Sequence, residues 1–188
     1  MMKFLSLLIF KLKGWKVVGA FPMDVKKAVM IAAPHTSNWD FLYARCAFYI
    51  MGVPLKYTIK KELMKFPLNI LLKAMGAIPI DRKPKQGLKS GKTSMVDVMV
   101  DLFKERDQLV VLVTPEGTRS YAKRWKTGFY HVANGAGVPM VFGYLDYKKK
   151  VAGVGRIMEA TGDLDKDMEE IKDFYRGITA KYPENGIK

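Results

Sequence analysis

The sequence predicts an α/β fold: a single-domain sandwich with a central mixed sheet flanked by helices, plus a short N-terminal amphipathic helix. Three observations predict it. Apolar runs such as Val29-Met30-Ile31-Ala32-Ala33 and Leu109-Val110-Val111-Leu112-Val113 have the length and β-branched content of buried strands. Longer stretches with apolar residues at helical spacing separate them. No linker rich in Gly, Ser or Pro and no internal repeat divides the 188 residues, and a content of 49% hydrophobic and 12% aromatic residues suffices for one packed core.

The segment 1–16 carries four lysines, no acid, and an uncharged span from Phe4 to Phe10. That span is far short of a membrane-crossing helix, and lysines follow it where a secretory leader would have small residues. It reads as a helix lying on a membrane surface. Its Phe, Leu and Ile side chains enter the headgroup boundary, Lys3, Lys11, Lys13 and Lys16 meet anionic lipid, and Trp15 sits at interfacial depth. The alternative is a helix packed on the domain's own core. Residues 17–188 make up the remaining domain.

After the Val29–Ala33 strand, Trp39 to Met51 reads as a helix ended by Gly52-Val53-Pro54, and Leu55 to Ile59 as a short strand. Pro67 opens a second helix made strongly apolar by Leu68, Ile70, Leu71, Leu72 and Met75, and Gly76 ends it before the strand Ala77–Ile80. Leu88 to Arg106 is amphipathic, with Met95, Met99, Leu102 and Phe103 on one face, and leads into the strand Leu109–Val113. Gly128 to Asn134 reads as a short helix, Pro139–Leu145 and Val151–Ile157 as strands, and Met168 to Ala180 as a final helix. Met64, Met75, Met95 and Met99 read first as core and second as the lining of an acyl tunnel.

Charge is unevenly placed. Residues 1–92 hold 17 Lys or Arg against 4 Asp or Glu, whereas residues 93–188 hold 15 against 14, so nearly all of the net +14 lies in the first half. A cationic half attracts nucleic acid, anionic lipid headgroups or a phosphorylated substrate, with solubility as the plain alternative. No nucleic-acid motif and no interleaving of aromatic with basic residues occurs, so no nucleic-acid partner is expected. The single Cys46, in an apolar helical context, excludes an internal disulfide framework and fits a reducing compartment. Two histidines nearly a hundred residues apart make a zinc site improbable, and no metal or bound cofactor is expected.

The chemistry concentrates where strands end, the place at which open α/β folds bind ligands. His35 leaves the Val29–Ala33 run and Asp40 falls on the first turn of the next helix. A carboxylate that accepts a hydrogen bond from one imidazole nitrogen fixes the tautomer and leaves the other nitrogen to take a proton from a hydroxyl. Asp81-Arg82 and Thr114-Pro115-Glu116-Gly117-Thr118-Arg119-Ser120 also follow apolar strands, so all three segments can meet on one rim. A lipid hydrolase would need an activated nucleophile, and the Gly-x-Ser-x-Gly elbow is missing.

His35-x4-Asp40, Gly76-Ala77-Ile78-Pro79-Ile80-Asp81-Arg82 and Pro115-Glu116-Gly117-Thr118-Arg119-Ser120, in that order and spacing, resemble the glycerolipid acyltransferases typified by 1-acylglycerol-3-phosphate acyltransferase. Val138-Pro139-Met140-Val141 resembles that family's fourth block, and Lys126-Thr127-Gly128 the segment leading to it. The resemblance implies that His35 is the general base and Asp40 its orienting partner. It also implies that Arg82, Glu116, Gly117, Thr118 and Arg119 bind the acceptor, the arginines through phosphate and Glu116 by accepting from an Arg or an acceptor hydroxyl. The implied reaction moves a fatty acyl group from a thioester of coenzyme A or acyl-carrier protein, a co-substrate and not a cofactor, to the free hydroxyl of a lysophospholipid. An enzyme of this kind is expected to be cytoplasmic and peripheral on the inner face of an anionic membrane. Pro34, Thr114 and Pro79 depart from the family's usual Asn, Phe and aromatic residues, which leaves lysophosphatidic acid, another lysophospholipid or a lyso-aminolipid without phosphate open as acceptors.

Overall fold

A computed structural model describes residues 2–80 and 94–188. Seven strands form one mixed sheet: β1 (Lys16–Val18), β2 (Lys27–Ala32), β3 (Leu55–Lys60), β4 (Ala77–Ile80), β5 (Leu109–Val113), β6 (Met140–Asp146) and β7 (Val151–Met158). Their spatial order is β1-β7-β6-β2-β5-β3-β4. Every pairing is parallel except the β6–β7 hairpin, which reverses the last two strands of the row and makes the sheet mixed.

The helices are α1 (Met2–Lys13), α2 (Asn38–Met51), α3 (Leu68–Ala74), α4 (Met95–Lys104), α5 (Gly128–Ala136) and α6 (Leu164–Arg176). Chain direction along the row decides which face each covers. The steps β2 to β3 to β4 run one way and β4 to β5 to β6 run back, so right-handed crossovers place α2 and α3 on one face and α4 and α5 on the other. Side chains follow the strand alternation. Ala28 and Met30 of β2 pack with Phe48 of α2, whereas Val29 and Ile31 pack with Met99, Phe103, Phe129, Ile171 and Tyr175 of α4, α5 and α6. Central strands buried on both faces need continuous apolar runs, and β2 and β5 have them.

Several sequence expectations need correction. β1 was not anticipated, because three residues give no periodicity to read. The helix expected from Leu88 begins at Met95 among the described residues, with Ser94 as its N-cap in a capping box with Asp97; Leu88 to Thr93 lie outside them. Trp15 does not sit at an interface. Gly14, at φ +71°, ends α1 and turns the chain so that the Trp15 ring stacks on Tyr43 at 4.5 Å between centroids, inside the core. Cys46 is buried in the same cluster, and burial pushes its thiol up, as a core cysteine requires. Helix α3, strongly apolar in sequence, buries none of its residues.

Helix α1 packs one side on the domain's own core and leaves an apolar side exposed. Phe10 and Ser6 face α2, with Phe10 against Trp15 and Tyr43, while Phe4, Leu5, Leu7, Leu8 and Leu12 face outward. Among the described residues, no helix is long and apolar enough to cross a membrane. Phe10→Ala should cost about 3–5 kcal/mol in urea unfolding, the usual range for a buried phenylalanine, while Phe4→Ala should stay within about 0.5 kcal/mol. Equal losses at the two positions would reverse the assignment of the helix faces.

Candidate active site

β2 ends at Ala32 and α2 begins at Asn38, so His35 lies in the connection and Asp40 at the third helical position. Ser37 is the N-cap. Its hydroxyl oxygen accepts from the Trp39 amide at 3.2 Å, and the Asp40 carboxylate reaches back to accept from the Ser37 amide at 2.8 Å. The four-residue gap between His35 and Asp40 thus has a local cause. A capping box needs its carboxylate three residues after the N-cap, and the histidine stands two residues before that cap.

Asp40 is saturated. Oδ2 accepts from the Thr36 and Ser37 amides, both at 2.8 Å, and meets His35 Nδ1 at 3.1 Å, while Oδ1 accepts from the Tyr147 hydroxyl at 2.6 Å. Burial by itself would raise the carboxyl, but the bonds from His35, Tyr147 and the two amides outweigh it and hold it below the ordinary aspartate value. An ionised carboxylate only accepts, so Nδ1 carries the shared proton and Nε2 keeps a lone pair. About a quarter of the His35 side chain remains exposed, on the wall of a cavity of about 190 Å³.

That cavity lies between α2 and the sheet and is mostly apolar, with Phe41, Ala44, Ala47 and Phe48 on one side and Leu112, Gly143, Leu145 and Gly153 on the other. The two glycines on the sheet side are closely packed against neighbouring atoms. A Cβ on Gly143 would come within 2.9 Å of the Met30 sulfur, and one on Gly153 within 2.6 Å of the Val18 carbonyl oxygen. Of the four methionines read first as core and second as a tunnel lining, Met95 and Met99 line a separate cavity of about 290 Å³ with Val29, Val111 and Phe129, on the opposite face of the sheet.

The segment after β5 forms a tight turn. The Gly117 amide donates to the Thr114 carbonyl at 3.1 Å, and its φ of +66° is what calls for glycine there; the nearest neighbour, the movable end of the Lys126 side chain, does not. The turn points Glu116 inward, where Oε1 accepts from the His35 backbone N–H at 2.9 Å, while Gly117, Thr118 and Arg119 stay exposed. Among the described residues Glu116 has the His35 amide as its partner, on Oε1, and Oε2 is buried with none. Burial pushes the Glu116 carboxyl up, only partly offset by that amide.

Two other expected contributions change. The Gly117 amide is spent within the turn, and Thr118 Oγ1 accepts from the Ser120 amide at 3.3 Å, which leaves its O–H to donate. Arg119 donates to Asn38 Oδ1 at the start of α2 and lines the His35 cavity, so the structure brings His35, Asp40, Glu116 and Arg119 together. Arg82 lies outside the described residues. Tyr147 was missed, since nothing local links it to a carboxylate 107 residues away; the Ser37-x-x-Asp40 cap was legible as a helix-start signal but went unread. Among the described residues, no group of three His, Cys, Asp or Glu side chains has metal-binding placement.

A protein-family model named Acyltransferase matches residues 15–142, which run from β1 into β6 and hold His35, Asp40, Glu116 and Arg119 but not Tyr147. The chain belongs to this acyltransferase family. Among solved structures it is similar to one titled as the 1-acyl-sn-glycerophosphate (LPA) acyltransferase, PlsC, from Thermotoga maritima, at 16% identity and a TM-score of 0.58, covering 90% of this chain and 74% of that one. At that identity the likeness concerns the fold, an α/β sheet with helices on both faces. No protein with a curated description matches the sequence.

Glu116 offers a stability test. A carboxyl whose folded value is raised destabilises the fold once it ionises, so the penalty is absent below the ordinary value of 4.5 and develops as pH rises past it. Glu116→Gln keeps an acceptor for the His35 amide and removes the charge. The variant should melt higher than the parent at pH 7, with the gain shrinking to nothing near pH 4. Equal melting temperatures at pH 7 would show that Glu116 is not penalised by burial.

Proposed function

We propose that this acyltransferase moves a fatty acyl group from an acyl thioester to the free hydroxyl of a lysophospholipid, with 1-acylglycerol-3-phosphate as the first candidate acceptor. The observation that carries the reading is the His35–Asp40 pair, tautomer fixed by the carboxylate, on the wall of an apolar cavity beside Arg119.

In this reading His35 Nε2 takes the proton from the acceptor hydroxyl as its oxygen bonds to the thioester carbonyl carbon. The tetrahedral adduct collapses, the C–S bond breaks, and the thiolate leaves to be protonated by the imidazolium. A thiol of pKa about 8.5 is a good leaving group, whereas a glycerol hydroxyl is a poor nucleophile until deprotonated, so one base suffices and no acyl-enzyme is needed. The apolar cavity under α2 suits an acyl chain. Arg119 presents a planar fork of donors for the acceptor's phosphate, with the Thr118 hydroxyl beside it. Glu116 anchors the backbone of His35, and its other oxygen, without a partner among the described residues, suits an acceptor hydroxyl. Arg82 joins them on the strength of the motif resemblance alone. The donor is coenzyme A or an acyl-carrier protein, and the exposed apolar side of α1 with its lysines suits an anionic membrane surface, facing the cytoplasm in this reading.

A second reading keeps the dyad and exchanges the acceptor for a lyso-aminolipid without phosphate. It is favoured by Arg119 being the one described arginine on the cavity, which makes a sparse phosphate site. The experiment is acyl transfer from a labelled long-chain thioester to lyso-lipids with and without phosphate. His35→Ala should lower turnover by roughly 10²–10⁴-fold with the fold intact, and retention within about tenfold would refute the general base. Arg119→Ala should raise the acceptor KM more than the donor KM; transfer confined to the aminolipid would move the chain to the second reading.

A further inference from the structure

The Asp40 carboxylate has two oxygens and the general-base reading uses only one. We infer that Tyr147 is a positioning residue for the reaction: its hydroxyl fixes Asp40 Oδ1, and its ring is held by Trp15 and Tyr43, so that the N-terminal segment supports the catalytic pair. Tyr147 follows β6 directly, and its backbone N–H donates to the Thr179 carbonyl at 2.9 Å, which fixes the main chain. Its ring stands edge-on to Trp15 at 5.0 Å and to Tyr43 at 6.1 Å, and Trp15 and Tyr43 both touch Phe10 of α1. The hydroxyl then reaches Oδ1 at 2.6 Å.

Rotation about the Cβ–Cγ bond would carry both oxygens off their partners, so three donors on Oδ2 and the Tyr147 hydroxyl on Oδ1 oppose it from both sides of the carboxylate. Burial and the Asp40 charge both push the Tyr147 phenol far above the ordinary tyrosine range, so it stays a neutral donor throughout the working pH range. The groups that face Asp40 are His35, Tyr147 and, at longer range, Glu116; Tyr43 and Tyr182 face Tyr147.

The inference rests on the general-base reading, and His35→Ala run in parallel separates the two. Tyr147→Phe keeps the ring in its clamp and removes only the donor. It should lower kcat about tenfold with both KM values within about twofold, the loss expected of one hydrogen bond to a charged group, and raise the Asp40 titration followed by carboxyl NMR. Trp15→Ala should reproduce the kcat loss with a water-soluble short-chain substrate pair, while Trp15→Phe restores most of it. An unchanged kcat in Tyr147→Phe beside an inactive His35→Ala would overturn the role of Tyr147 alone; activity surviving in His35→Ala would overturn the underlying reading.

A different observation carries a second inference. Leu63, Phe66, Leu68, Ile70 and Leu71 are each more than half exposed, Phe66 at 81%, in a segment with Lys60, Lys61, Lys65 and Lys73 against the single acid Glu62. A leucine-rich helix that buries nothing needs an apolar partner, and lysines around an apolar face match an anionic lipid surface. We propose that α3 and the turn before it form a second lipid contact. With α1 packed on α2 and α3 on the same face of the sheet, the protein would rest on the bilayer at two points, with the cavity under α2 on its lipid side.

This extends the membrane-surface reading of α1, and separate variants keep the two apart. Phe66→Ser with Ile70→Ser should weaken co-sedimentation with vesicles of phosphatidylglycerol and phosphatidylcholine about tenfold, leaving turnover of the water-soluble pair unchanged. Phe4→Ser with Leu12→Ser tests α1 by itself. Unchanged sedimentation of the α3 variant would overturn the inference, and so would light scattering that shows a dimer in the parent and a monomer in that variant, which would give the surface to a second copy of the chain.

Discussion

Everything at the site depends on one carboxylate. Asp40 closes the N-terminus of α2 by accepting the Ser37 amide, and the same oxygen meets His35 Nδ1. Helix capping and base orientation are therefore one geometric requirement, because the capping box fixes where the carboxylate points and the histidine follows from its place before the cap. A carboxylate at a helix N-terminus also gains from the macrodipole, which favours the ionised form needed to hold the imidazole proton.

Around that point the fold works as a clamp. β2 delivers His35, β5 delivers Glu116 and β6 delivers Tyr147, and these strands are close neighbours in the row although they are far apart in sequence. Glu116 holds the histidine by its backbone and Tyr147 holds the aspartate by its second oxygen. The costly part is Glu116, a buried carboxyl with one oxygen unpartnered among the described residues. Such a group lowers stability for the sake of geometry, a pattern common at sites where chemistry has to be done.

The two faces of the sheet have separate tasks. The face covered by α4, α5 and α6 is a conventional core, with Phe103, Tyr130, Ile171 and Tyr175 fully buried. On the other face, glycines and alanines line a cavity beneath α2, and the outer helices α1 and α3 turn apolar residues outward. Residues 2–80, which supply the helices of this second face, hold 12 Lys or Arg against 3 Asp or Glu.

The sequence by itself determined the α/β class and the central strands, because these depend on local periodicity, caps and turn residues within a few positions of one another, and it offered the motif segments at strand ends through their resemblance to a known family. It also placed His35 and Asp40 together, since the capping box is a short-range device. It left the partner of Glu116, the seat of Tyr147, the burial of Trp15 and the exposure of α3 undecided. Each of those depends on which strands become neighbours. Apolar Trp15 and Leu71 carry the same local signal, and only the tertiary arrangement gives one a stacked tyrosine and leaves the other facing out.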